Sequence, residues 1–359
     1  MSIRSWLASA RHSGAVTISA SRRTGTRPRA AAWDSRPSRP RFQGLLCTIA
    51  ALALLPAIAA TLMRVIPPAD DQTARVAAFI SYGLLGYLIA LGCLLIVVAR
   101  ARHRFVIAVI TVAVALLTLC HLAWLGPLFV NDHRAAGTPK FRLMSLNMHN
   151  GGADSGKVAQ RAERADIVIL VEATPSALQD LKPFGWDERF PYSLGDPKDG
   201  FTNTAVYSRF PLRQSNLIGT TSYQQWETTV RIPKVGSIRL MAVHPCNPYC
   251  GGDRWSAEHQ LLHEAVIDNL DQPLIVAGDF NAVDDHGPMQ ALRHLGLKSA
   301  TDVAGAGWLP TYPADEPFPP LLPIDHVMIN KELTASSVTS FAIPGTDHRG
   351  LFATLAGAR

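Results

Sequence analysis

The sequence predicts an α/β domain preceded by three membrane-spanning helices. Three apolar stretches of bilayer length lie between Leu45 and Val130, and short apolar strands alternate with helical stretches from Lys140 onward. Polar residues suited to chemistry stand at the ends of those strands. The composition agrees: 48% hydrophobic and 17% charged residues lean apolar, and the excess is concentrated in the three stretches.

Residues 1–43 are rich in Arg, Ser, Pro and Ala, almost without acid, and have no sustained apolar period, the pattern of a disordered basic tail. The anchor, residues 44–130, contains apolar runs at Leu45 to Met63, Val76 to Ala99 and Phe105 to Leu125. None has the polar stripe of a surface helix. The tail is Arg-rich, Asp70 and Asp71 lie between the first two runs, and Arg100, Arg102 and Arg104 separate the last two. The positive-inside rule then puts the tail and the second loop in the cytoplasm. Three crossings leave the following domain, residues 139–359, outside a cell membrane crossed several times. The net charge of +6 resides largely in the tail and the second loop, which argues against a nucleic-acid partner and for the lipid bilayer.

In the domain, Phe141 to Leu146, Asp166 to Val171, Thr204 to Ser208, Ser237 to Val243, Leu274 to Ala277, Asp325 to Ile329 and Ser336 to Phe341 read as strands. Val158 to Ala165, Arg254 to Asn269 and Met289 to Leu295 read as helices. Cys47, Cys93 and Cys120 fall in the apolar runs, where a thiol behaves as a small hydrophobe. The spacing of Cys246 and Cys250 allows a local disulfide or half of a metal site; no second Cys pair completes a zinc set, which favours the disulfide.

Asn147, Glu172, His244, Asp279 and Asn281 each follow a predicted strand, where side chains converge on a shared cleft in an α/β sheet, and Asp347 and His348 lie near the C-terminus. Alone, Glu172 reads as a surface acid, a single His as structural, and Gly278-Asp-Phe-Asn281 as an Asx turn. Their combination argues for a site. His326, Asp284, Asp285 and His286 read as solvated or packing neighbours.

Met144-Ser-Leu-Asn147, Ile169-Leu-Val-Glu172, Ala205-Val-Tyr-Ser208, Val243-His244, Gly278-Asp-Phe-Asn281, Ile324-Asp-His326 and Thr346-Asp-His348 cover nearly all of residues 141–355. In this order they resemble the endonuclease/exonuclease/phosphatase (DNase I-like) family. The resemblance implies a two-sheet α/β sandwich with outer helices and a Mg²⁺-dependent phosphoesterase, with Mn²⁺ as the alternative cation. It implies Glu172 as metal ligand, Asn147 on metal or phosphate, and Asp347 completing the site. Asp279 would accept a proton from water, Asn281 would donate to a phosphate oxygen, and His244 and His348 would stabilise the phosphoryl group. Asp325 would orient His348, and Glu227 is a candidate partner for His244.

Thr311-Tyr-Pro313, the Pro-rich stretch to Pro323 and Gly345-Thr-Asp-His-Arg-Gly350, behind three spans, are similar to the bacterial membrane-phosphatase branch that includes the teicoplanin-resistance protein VanJ. Many relatives have Pro where Gly350 stands. That branch implies a phosphorylated, lipid-linked substrate such as undecaprenyl pyrophosphate. The alternatives are an extracytoplasmic nuclease on the same scaffold and a non-catalytic tethered protein. A nuclease should carry a Lys/Arg-dense stripe with interleaved aromatics, which the domain lacks. A degenerate scaffold should have lost one of the strand-end residues, and all are present.

Overall fold

Hydropathy sets the first part of the chain. In this computed structural model, which describes residues 39–68, 70–101, 105–132, 137, 139–198, 200 and 202–358, the apolar runs become helices. They are α1 (Arg39–Val65), α2 (Asp71–Ala77), α3 (Gly83–Arg100) and α4 (Phe105–Leu125). Most of the expected basic tail and two of the orienting arginines, Arg102 and Arg104, lie outside the described residues. Three helical segments are long and apolar enough to cross a membrane, and under a third of each is buried by protein. Leu52, Leu55, Val112 and Leu116 stand exposed, an apolar surface that a bilayer would cover.

The helices touch where small residues permit. A side chain at Gly86 would place its Cβ 2.6 Å from the Ala53 carbonyl oxygen, so α1 and α3 approach backbone to backbone. Thr61 binds across the bundle, 2.6 Å from the Tyr87 hydroxyl and 3.0 Å from His121 Nε2.

The second apolar run differs from expectation. It is not one helix from Val76 to Ala99: a 3₁₀ turn at Ile80–Tyr82 separates α2 from α3. Asp70 caps α2 by accepting from the Gln72 and Thr73 amides, and Ala74 is buried in the core of the following domain. Hydropathy continues across the break, but α2 buries its small face against protein.

Among the described residues the domain contains twelve strands: β1 (Phe141–Asn147), β2 (Ile167–Val171), β3 (Tyr192–Leu194), β4 (Thr204–Ser208), β5 (Leu212–Leu217), β6 (Trp226–Ile232), β7 (Gly236–Val243), β8 (Leu274–Asp279), β9 (Lys298–Ser299), β10 (Asp325–Ile329), β11 (Leu333–Phe341) and β12 (Gly350–Gly357). They form two six-stranded sheets, ordered β11-β12-β1-β2-β4-β3 and β5-β6-β7-β8-β10-β9. In β2, Ile167, Ile169 and Val171 point between the sheets, while Val168 and Leu170 face outer helices. Burial on both faces explains why its sequence is apolar throughout.

Helices α5 (Ser155–Ala162), α6 (Pro175–Gln179) and α7 (Trp186–Arg189) cover the first sheet. Helices α8 (Arg254–Ile267) and α9 (Gly287–His294) cover the second, and α10 (Ala300–Ala304) packs at the edge of the inter-sheet core. This is the expected two-sheet α/β sandwich behind three apolar helices. β1 runs parallel to β2 and β7 parallel to β8, so each sheet ends one parallel pair at the same rim.

Candidate active site

The parallel pairs determine what meets at that rim. Asn147 ends β1 and Glu172 follows β2; His244 follows β7 and Asp279 ends β8. Strand β10 returns antiparallel to β8 with Asp325 opposite Asp279. The sandwich thus brings together residues far apart in the chain.

Local backbone aims them. Glu172 and Asn281 adopt φ of 53° and 49°, left-handed conformations that turn the chain sharply at the strand end. Gly278 has φ of 149°, and a Cβ there would lie 2.0 Å from the Val243 carbonyl oxygen. Glycine is therefore required for β7 and β8 to stay paired beside Asp279.

Asn147 links the two acids. Its Nδ2 donates to Glu172 Oε1 and to Asp279 Oδ2, both at 3.0 Å, while its Oδ1 accepts from the His149 amide at 2.8 Å. Glu172 Oε2 accepts from the Asn150 amide at 2.9 Å, and Asp279 Oδ1 from the Asn281 amide at 2.8 Å. The Asn281 side chain donates to the Pro245 carbonyl.

His348 Nδ1 lies 2.8 Å from Asp325 Oδ2, and its Nε2 lies 3.7 Å from Asp279 Oδ2 and 4.0 Å from Asp347 Oδ1. Burial would lower its pKa, but Asp325 and Asp279 outweigh burial and hold it up at about 10. Burial pushes Asp279 up, which the neighbouring His348 only partly offsets, leaving it at about 7. His244 Nε2 sits 3.7 Å from Asp279 Oδ2 and 3.8 Å from Glu172 Oε1. Burial, then the charge of His348, lowers its pKa to about 3, so it is a neutral imidazole.

Glu227 does not serve His244. It pairs with Arg239 at 2.6 Å, because strand alternation puts its side chain on the outer face of the sheet, opposite Met241 in the β6–β7 register. His244 instead stacks on Tyr223, with ring centroids 4.4 Å apart, and its Nδ1 has no hydrogen-bond partner among the described residues. His326, Asp284, Asp285 and His286 pack: His326 bonds the Ala282 carbonyl, Asp284 pairs with Arg293, Asp285 with Arg64, and His286 bonds the Ala74 carbonyl.

Sequence reasoning overlooked His149, whose Nδ1 lies 2.7 Å from Asp347 Oδ1, and gave no role to Thr346, which donates to the Asn147 carbonyl and accepts from the His348 amide. His149 stands two residues after Asn147, the one signal that could have found it; Thr346 lies in the quoted motif, and its role is visible only in the structure.

The donor set suits a hard cation. Glu172, Asp279, Asp325 and Asp347 cluster with His348 as the charged partner, and no Lys or Arg pairs with these acids among the described residues. Asp325 Oδ1 is buried without a hydrogen-bond partner. Carboxylate and amide oxygens are the ligands Mg²⁺ prefers. Asp279, Asp325 and His348 also bring one ligand atom each within 4.8 Å of one another, but the short His348–Asp325 contact uses two of them as a hydrogen-bonded pair.

Residues 144–348, more than half of the chain, match the endonuclease/exonuclease/phosphatase family. The chain belongs to that family. Its members include phosphatases and nucleases, and they generally use a divalent metal. The family fold is similar to the endonuclease/exonuclease/phosphatase from Bacteroides vulgatus, with TM-score 0.53 and 16% identity over 61% of this chain and 100% of that one. A humanized D. rerio TDP2 is similar over 60% of this chain and 98% of its own, with TM-score 0.50 and 16% identity. A functionally unknown conserved protein from Enterococcus faecalis V583 aligns over 60% and 99%, with TM-score 0.50 and 15% identity. At these identities the likeness is one of fold. No curated protein sequence matches the chain.

Proposed function

We propose that this chain is a membrane-anchored, Mg²⁺-dependent phosphatase acting on a lipid-linked phosphate or pyrophosphate at the outer membrane face. The observation that carries the reading is the convergence of Asp279, His348 and Glu172 at one rim: a buried carboxylate, a buried imidazolium and a further carboxylate within reach of one phosphoryl group.

Asp279, raised toward neutrality, accepts the proton of the attacking water. His348, kept charged and oriented by Asp325, donates to a phosphoryl oxygen as negative charge builds. His244 donates as a neutral group from Nε2, and Asn281 has a second amide hydrogen for a phosphate oxygen. Glu172 and Asp347, with Asn147 fixing Glu172, would hold the divalent ion. When bound, the ion neutralises phosphate charge and polarises the ester.

The outer location rests on charge and on docking. The packing of Ala74, in the connector between the first two spans, within the core of the hydrolase domain supports a reading in which both lie on one side of the membrane. Arg100 ends α3 at the opposite end of that span, where the positive-inside rule assigns the cytoplasm.

The test is phosphate release by the full chain in detergent, with and without Mg²⁺, from a lipid pyrophosphate, a soluble phosphomonoester and plasmid DNA. Mg²⁺-dependent release favouring the lipid supports the reading. Nicking of DNA without phosphate release replaces it with a nuclease.

A further inference from the structure

The cleft that holds Asp279, Glu172 and His348 has a volume of about 430 Å³, within the range of small-molecule sites, and the hydrolase domain does not build it alone. Ala74, Arg75, Ala78 and Phe79, all from the connector between the first two spans, line it as well. The connector is firmly held. Arg75 donates twice to the Pro248 carbonyl, at 2.8 and 3.1 Å, and lies over the Tyr249 ring. Ser81 donates to Asp285 at 2.5 Å, and the Tyr82 hydroxyl donates to the Leu321 carbonyl at 2.8 Å.

Two phenylalanine rings in this lining are left half in solvent, Phe79 on the connector and Phe318 in the Pro-rich stretch, 48% and 45% exposed, beside Tyr249, which is 74% exposed under Arg75. Large rings left uncovered beside a charged reaction centre suit an amphiphile, with its phosphate among the carboxylates and imidazoles and its chain against the rings. The connector is continuous with α3 in one segment, Asp71–Arg100, long and apolar enough to cross a membrane, so this wall of the cleft adjoins a candidate span.

We propose that the connector is a wall of the active site, and that Phe79 with Phe318 receives the hydrocarbon chain of a membrane-borne phosphate ester. This rests on the phosphatase reading and adds to it the residues that select the substrate. It also means that a domain cut at Lys140 lacks part of its own site.

The experiment uses the full chain in detergent, wild type, Phe79→Ala and Phe318→Ala, and measures kcat/KM on alkyl monophosphates from butyl to decyl. In the wild type kcat/KM should rise up to about fourfold per methylene while the chain lies against the rings. Each variant should flatten that dependence, so that its loss grows with chain length. Partition into detergent is common to all three proteins and cancels in the comparison. A variant that has unfolded loses every substrate equally, and melting temperatures identify it. A dependence on chain length identical in wild type and both folded variants overturns the proposal, as does a flat wild-type series. Phosphate release from no member of the series overturns instead the phosphatase reading on which the proposal rests.

Discussion

His348 Nδ1 lies 2.8 Å from Asp325 Oδ2, and the two residues are positioned by different sheets. Asp325 opens β10 in one sheet, and His348 precedes β12 in the other. Sandwich packing, not local sequence, therefore aligns the imidazole with Asp279.

Asp325→Asn keeps the shape of that contact and removes its charge. We expect kcat to fall about 10²- to 10⁴-fold, as it should for His348→Ala. Because the pair acts as a unit, the double variant should be no slower than the more severe single one. Multiplicative losses, measured by steady-state kinetics on folded protein, would show that Asp325 does not act through His348.

The excess of carboxylates at the rim predicts an activity that depends on a divalent ion. Chelation should abolish phosphate release and lower the melting temperature, and Mg²⁺ should restore both. Glu172→Gln should raise the Mg²⁺ concentration needed for half-maximal thermal protection about 10- to 100-fold. Equal protection in wild type and variant would remove Glu172 from the ligand set.

Much of this was readable in sequence because strand ends are locally encoded. Thr204–Ser208 and Asp325–Ile329 have the predicted bounds, and the motif residues at the ends of β1, β2, β7 and β8 meet as the fold requires. Strands β3, β5, β6, β9 and β12 went unpredicted: β3 and β9 have only three and two residues, β5 is largely exposed, β6 mixes Thr, Glu and Arg into its alternation, and Gly and Ala dilute β12. The docking of α2 was invisible because its sequence, Asp71–Ala77, is short and mostly polar, and the face it buries rests on the small residues Ala74 and Ala77, which leave no apolar stripe. Gly350 has a structural reason: the Phe341 ring occupies the space a side chain would need, 2.3 Å from a Cβ there. The disulfide between Cys246 and Cys250 forms, with Cα atoms 6.2 Å apart.

Acid should loosen the connector. Burial lowers His286 to about 4 and His259 to about 3, from an ordinary value of 6.5. Both are buried beside Trp255. Their folded pKa values lie below the unfolded one, so the unfolded chain binds more protons below pH 6.5. Stability is then full above 6.5 and is lost as pH falls toward 4. His286 bonds the Ala74 carbonyl through Nε2 and accepts the Val283 amide at Nδ1, which protonation would block. The melting temperature of the full chain should fall between pH 6.5 and 4; equal values at pH 7.5 and 5 would contradict this.

Gly278→Ala tests the rim in one atom. The added methyl would meet the Val243 carbonyl at 2.0 Å, with a φ that L residues rarely adopt. Val243 pairs with Gly278 across β7 and β8, and the next residues along the two strands are His244 and Asp279. Relief therefore requires the strand ends to separate, moving both functional groups away from Glu172 and His348. We expect a stability loss of at least about 2 kcal/mol by denaturant titration, together with a fall in kcat larger than the unfolded fraction accounts for. Gly236→Ala, at φ of 116° but with no atom within 4 Å of the added Cβ, is the control. It carries comparable backbone strain without the collision, at a position far along β7 from His244. If both variants lose stability but only Gly278→Ala loses kcat, the rim geometry carries the chemistry; equal kcat losses would mean that general strain, and not the position of Asp279, limits turnover.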